Sequence, residues 1–233
     1  MNVIGKCDRK DVAGFESERR EMVEKQIRSR GIRSARVISA MASVPRHLFV
    51  PRDRIQDAYV DAPVPIGEGQ TISQPYIVAL IAEGLALEGD ERVLEVGAGS
   101  GYQAAVVSLL AREVIALESQ PKLAASARER VARLGYANIR VEEGDGSLGW
   151  PQCAPYDAIL VTAAAPAVPE PLLAQMAEGA RLVIPVGSAE QQDLLRIVKK
   201  GVKTSQEILC ACRFVPLIGR YGWKSNAKET LCG

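Results

Sequence analysis

Arg92-Val93-Leu94-Glu95-Val96-Gly97-Ala98-Gly99-Ser100-Gly101-Tyr102 is the stretch that decides the fold. A short apolar strand runs into a glycine turn, and the Ala-rich segment from Tyr102 to Ala111 follows as a helix. The same rhythm continues downstream. Glu113 to Glu118 reads as a second strand, and Lys122 to Leu134 as a helix with a charged outer face. Ile139 to Glu142, Tyr156 to Thr162 and Arg181 to Val186 follow as strands, with a helix at Pro171 to Ala177 between the last two. Strands alternating with helices predict an α/β fold, a doubly wound, mostly parallel, Rossmann-like sheet covered on both faces. Leu194 to Lys199 and Glu207 to Phe214 stand at hairpin separation and predict an antiparallel C-terminal edge.

Upstream of the turn the chain is helical, then irregular. Phe15 to Arg30 carries sparse apolar positions among charges, which suits a surface helix ended by Gly31. Ser34 is placed to cap a second helix reaching about Ala42, closed by Val44-Pro45. Residues 50–75 hold Pro51, Pro63, Pro65, Gly67, Gly69 and Pro75, the composition of an ordered loop laid over a scaffold. Tyr76 to Ala82 is apolar enough for a buried helix. The expected organisation is an N-terminal cap over residues 1–75 that carries the active-site loop, a core over 76–220, and a tail over 221–233 with no recognisable motif.

Composition narrows the class. The chain has 233 residues, 47% of them hydrophobic and 24% charged, as in an ordinary globular protein. Lys plus Arg number 29 against 28 Asp plus Glu, so no global field holds it on nucleic acid or membrane. Arginines between Glu16 and Arg54 are mixed with acids and read as a solvated helix face. The five cysteines (Cys7, Cys153, Cys210, Cys212, Cys232) form no CxxC pair, and the sole histidine, His47, further weakens a zinc reading. Cys210 and Cys212 fall on one face of a strand and are expected as buried reduced thiols. His47 sits beside Leu48, Phe49 and Val50 and is expected to pack or order a loop. Met1 to Lys10 lacks a signal-peptide core, and no run approaches the ~20 apolar residues of a membrane span. The expected setting is the cytoplasm and the expected form a monomer.

The glycine turn admits two cofactor readings. A dinucleotide enzyme needs its third glycine at position 102, where this chain has Tyr102; the third glycine stands at 101 instead. Glu95, two residues before Gly97, offers a carboxylate to the amino group of an amino-acid-like ligand. Glycines and helix N–H groups would face that ligand's carboxylate. This suits the methionine end of S-adenosylmethionine better than a pyrophosphate. Glu118, 21 positions after Gly97, closes the second strand where a carboxylate can accept both ribose hydroxyls. Asp145, in Gly144-Asp145-Gly146 after the third strand, is placed to accept the adenine amino proton.

Four further strings go beyond a generic methyltransferase: Gly69-Gln70-Thr71-Ile72-Ser73-Gln74-Pro75-Tyr76, Val44-Pro45-Arg46-His47-Leu48-Phe49-Val50-Pro51, Ala154-Pro155-Tyr156-Asp157-Ala158-Ile159 leading through Thr162-Ala163-Ala164-Ala165-Pro166, and Arg213-Phe214-Val215-Pro216-Leu217-Ile218-Gly219. Together they resemble the protein-L-isoaspartate O-methyltransferase family from about residue 18 to 220, in the family's order. The resemblance implies Ser73 as the active-site residue, with Thr71, Ile72 and Val215 near the bound peptide. It implies cofactor contacts from Gly97, Ala98, Gly99, Ser100, Gly101, Tyr102, Glu118, Asp145 and Gly146, and from Pro75, Tyr76, Ile77 and Val78 on the cap side. The implied substrates are proteins and peptides containing isoaspartate. Rival readings are a methyltransferase with another acceptor, such as RNA or a small molecule, and a module that binds cofactor without turnover. A nicotinamide oxidoreductase is disfavoured by Tyr102.

The implied chemistry needs no general base. An isoaspartyl residue leaves its α-carboxylate free, and a reference pKa of about 3.3–3.7 makes it an anion at neutral pH. Ser73 lies in no Gly-x-Ser-x-Gly elbow, so its expected part is a hydrogen bond that orients the carboxylate, not a covalent one.

Overall fold

In the computed structural model, residues 14–224 are described. Five parallel strands, β3 (Arg92–Val96), β4 (Glu113–Glu118), β5 (Ile139–Glu143), β6 (Tyr156–Val161) and β7 (Met176–Gly187), are joined by antiparallel β8 (Gln192–Lys200) and β9 (Lys203–Cys212). The sheet order is β5-β4-β3-β6-β7-β8-β9. Neighbours from β5 through β7 pair in parallel, while β7–β8 and β8–β9 pair antiparallel, as the strand pattern predicts. The winding reverses between β3 and β6, so a crevice opens beyond the carboxyl end of β3, where doubly wound sheets bind ligands.

Alternation along the strands builds a core on each face. Val93, Val114 and Ala116 join one core, under α3 (Pro75–Leu85), α4 (Tyr102–Ser108) and α5 (Pro121–Arg133). Leu94, Val96, Ile115 and Leu117 join the other, with Leu172 of the short α6 (Glu170–Ala174) and Leu217 of the C-terminal segment. The N-terminal cap consists of α1 (Glu16–Met22), a widened π turn (Val23–Ile27) and α2 (Ala35–Ser43). Ser34 Oγ accepts from Val37 N and caps α2, an interaction worth about 1 kcal/mol. Gly31 stops the preceding turns at φ +99°.

Three expectations needed correction. The single helix over residues 15–30 is broken, because the π turn lets Met22, Val23 and Ile27 all reach the core. The loop over 50–75 contains a hairpin, β1 (Val64–Gly67) with β2 (Gln70–Ile72), turned by Glu68 and Gly69 at φ +51° and +67°. β9 begins at Lys203 and ends at Cys212, before Phe214, because it pairs with β8 straight from the Gly201 turn. Its first residues, Lys203 to Glu207, are polar and exposed, so no apolar signal marks them. Among the described residues, no helix is long and apolar enough to cross a membrane.

Candidate active site

A cavity of about 1290 Å³ occupies the crevice beyond β3. It is larger than most small-molecule sites, which run to ~1,000 Å³, and has room for a nucleoside cofactor and part of a peptide. Its floor is the end of β3, the glycine turn, and the end of β4. Glu95, Gly97, Ala98, Gly99, Ser100, Tyr102, Glu118 and Gly146 all line it. From the cap side come Thr71, Ile72, Ser73, Tyr76, Ile77 and Val78, and from the C-terminal side Val215.

The turn is braced against β4. Gly97 N and Ala98 N both donate to Leu117 O at 2.8 Å, and Gly99 N donates to Glu118 Oε2 at 2.9 Å. These N–H groups are therefore used within the fold, and the turn offers a ligand close approach more than donors. Gly97 is needed at φ +95°, where a Cβ would stand 2.4 Å from Thr162 Oγ1. That hydroxyl ties β6 to the turn by donating to Gly97 O at 2.7 Å.

Two carboxylates mark the floor. Glu118 also accepts from Gln120 N at 3.0 Å, so each of its oxygens is anchored and the group is held in one orientation. Glu95 differs. It is fully buried, and neither side-chain oxygen has a hydrogen-bond partner among the described residues. Burial, and secondarily the Glu118 charge, push its carboxyl well above the usual range. A buried acceptor without a partner costs about 1–3 kcal/mol, and a cationic ammonium in the cavity would remove that cost. The donor set therefore fits the amino end of S-adenosylmethionine.

Tyr102 opens α4 and is locked from below. Phe49 meets its ring edge-on at 5.5 Å, and the fully buried Arg46 guanidinium lies 4.9 Å from its centroid. Arg46 Nε donates to Ala58 O at 2.6 Å. Burial raises the Tyr102 phenol to about 12. His47 is a packing residue, as expected: its ring lies 4.8 Å from Phe15, and Nδ1 is 2.8 Å from Tyr59 OH.

Ser73 follows β2 and precedes α3. Gln74, not Ser73, occupies the N-cap of α3, and Ser73 Oγ has no hydrogen-bond partner among the described residues. Its hydroxyl is thus not used by the helix.

Three expected contacts lie outside the cavity wall. Pro75 is buried as the first residue of α3. Gly101 caps α4 and faces α5, where a Cβ would meet Val131 Cγ1 at 3.2 Å. Asp145 is engaged elsewhere: Oδ1 accepts from Ser147 N at 2.9 Å and Ser147 Oγ at 2.7 Å, and Oδ2 accepts from Arg220 N at 2.7 Å. A short carboxylate at the head of a tight turn is drawn to the N–H two residues on. Here it also fastens the C-terminal segment. That segment, unassigned from sequence beyond Gly219, docks through Tyr221 N to Ser147 Oγ at 3.0 Å and Trp223 Nε1 to Ala164 O at 3.0 Å. Sequence reasoning also missed Arg30, Cys210 and Cys212 on the cavity wall. The strand reading had put both cysteines on one face, but nothing in the chain's order says that β9 passes the crevice.

The description of the protein-L-isoaspartate(D-aspartate) O-methyltransferase family matches residues 17–222. The chain belongs to that family. A Methanoculleus marisnigri protein-L-isoaspartate O-methyltransferase is 54% identical over 209 residues, covering 90% of this chain and 95% of the relative. One from Methanoregula boonei is 53% identical over 208 residues, covering 89% and 96%. A solved protein-L-isoaspartate O-methyltransferase superposes with a TM-score of 0.79 at 31% identity, covering 88% of this chain and 67% of its own. A Plasmodium falciparum β-aspartate methyltransferase in complex with S-adenosyl-L-homocysteine superposes with a TM-score of 0.74 at 26% identity, covering 86% and 98%.

Proposed function

We propose that this methyltransferase transfers a methyl group from S-adenosylmethionine to the free α-carboxylate of L-isoaspartyl residues in proteins and peptides. The ester then closes to a succinimide, which reopens in part to normal aspartate. The observation that carries this reading is a single cavity with Glu95, Glu118 and the glycine turn on one wall and Ser73 on the other.

S-adenosylmethionine supplies a methyl group already activated on a sulfonium. The protein's part is alignment. Glu95 would hold the ammonium and Glu118 would accept from ribose hydroxyls, with Tyr102 and Gly146 also on the cavity wall. Ile77 and Val78 close the cap side with apolar surface. Ser73 donates a hydrogen bond to one oxygen of the substrate carboxylate and orients the other toward the methyl group. Holding the two reactants in line makes the step effectively unimolecular. Water exclusion favours it further, because attack of an anion on a cation neutralises both. A normal aspartyl residue has its α-carbonyl tied into an amide, so it brings no α-carboxylate to Ser73. Thr71, Ile72 and Val215 flank the peptide.

The near-neutral charge supports a protein rather than a nucleic acid or membrane partner. Cys153, Cys210 and Cys212 are free thiols, which suits the reducing cytoplasm. A Ser73→Ala enzyme should bind cofactor within about twofold of the parent and lose methyl transfer by about 100-fold, the cost of a misplaced reactant. Calorimetric titration with S-adenosylhomocysteine and initial rates on an isoaspartyl peptide check this. Undiminished turnover would remove Ser73 from the site.

A further inference from the structure

The segment that presents Ser73 is short: three residues of β2, Ser73, and then the N-cap of α3. Its backbone is fastened on one side by the β1–β2 ladder, with Val64 opposite Ile72 and Pro65 opposite Thr71. On the other side a set of polar groups from three separate segments converges on Gln74. Gln74 Nε2 donates to Asp61 Oδ1 at 2.9 Å and to Asp61 O at 3.1 Å. The Asp61 carboxylate is met in turn by Arg30 Nη1, 3.3 Å from Oδ2. The Arg30 guanidinium stacks on the Tyr76 ring, 3.7 Å from its centroid. Arg30, Gln74 and Tyr76 line the cavity, whereas Asp61 does not.

We propose that Asp61 is a positioning residue for methyl transfer: it latches Gln74, and with Arg30 and Tyr76 fixes the backbone at Ser73 so that the hydroxyl points at the substrate carboxylate. This rests on the role of Ser73 given above. Asp61 reaches the chemistry only through its neighbour in sequence, which separates it from the residues that touch ligand. The partners come from three separate segments: Arg30 from the end of the first helical segment, Asp61 from the turn that precedes β1, and Gln74 and Tyr76 from the head of α3. Two bonds from one amide to one residue restrict both position and rotation of Gln74. The ion pair with Arg30 is half-exposed, so it adds little by itself. Its stacking on Tyr76 instead ties the carboxylate to α3.

The test uses Asp61→Ala and Asp61→Asn, each alone and combined with Ser73→Ala, in the full chain. Asparagine keeps the acceptor for Gln74 and loses the charge and the second acceptor that Arg30 meets. Asp61→Ala is expected to lower kcat on an isoaspartyl peptide about tenfold, as misalignment does. Its affinity for S-adenosylhomocysteine, read by calorimetry, should stay within about twofold, because Asp61 lies off the cavity wall. Asp61→Asn should recover kcat to within about threefold of the parent, and Asp61→Ala should add no further loss to a Ser73→Ala enzyme. The latch is overturned by an Asp61→Ala enzyme with kcat within twofold of the parent, or by a loss that persists undiminished in the Ser73→Ala background. A fully active Ser73→Ala enzyme would overturn the role of Ser73 and the latch together. Loss in Asp61→Ala alongside a harmless Ser73→Ala would assign Asp61 to general folding.

Discussion

Replacing Glu95 by glutamine isolates the electrostatics at the cofactor end of the crevice. In the free enzyme, burial and then Glu118 raise the Glu95 pKa well above the 4.5 of a free side chain. The unfolded chain therefore ionises at a pH where the fold still holds the proton. Stability tied to this group is fully present below about pH 4.5 and is lost as pH rises through the folded pKa. Above about pH 4.5 each pH step of one costs roughly 1.4 kcal/mol until the folded carboxyl itself ionises. Glutamine has no such dependence. Its amide is itself left without a partner, a constant cost of about 1–3 kcal/mol, so the diagnostic is the slope with pH. Melting curves of the free parent and Glu95→Gln proteins should run parallel near pH 4.5 and diverge above it in favour of the variant. Each pH step of one over which they diverge should open the gap by about 3–6 °C for a chain of this size. Cofactor binding should move the other way, weakened about 10- to 100-fold, because an ammonium then faces a neutral amide. Parallel pH profiles from pH 4.5 to 8, or unchanged affinity for S-adenosylhomocysteine, would refute the assignment of Glu95.

Two further substitutions probe the walls. Gly97→Ala places a Cβ against Thr162 Oγ1 at a φ of +95°. The backbone alone costs about 1–3 kcal/mol, so urea denaturation should show at least that loss, with cofactor binding weakened in parallel. Trp223→Ala removes the bond to Ala164 O and loosens the segment that carries Val215. Loss of about 1 kcal/mol there predicts an approximately fivefold higher KM for an isoaspartyl peptide, with S-adenosylhomocysteine affinity unchanged by calorimetry.

The core of this fold was legible because its strands are buried on both faces and its turns are punctuated by glycine. β3 and β4 begin and end where the apolar runs do. The edges were harder. The early half of β9 is polar because it faces water, and the β1–β2 hairpin is too short and proline-rich to show alternation. Glu95 and Glu118 were readable since they stand at the ends of strands that the rhythm already places, whereas Ser73 was reached only through the resemblance carried by its string. Asp145 sat in the right order but stands off the cavity wall, where the C-terminal segment, silent in sequence, engages its carboxylate. Arg30 and Asp61 escaped notice for a similar reason: their partners lie 31 and 13 positions away. Only the folded cap brings them to Gln74.

The most direct measurement is methyl transfer from labelled S-adenosylmethionine to two peptides that differ only in isoaspartate against aspartate. Label on the isoaspartyl peptide alone, released by mild base as an ester, is the expected result. Equal labelling of both peptides, or none on either with cofactor binding intact, would contradict an enzyme built to select the free α-carboxylate.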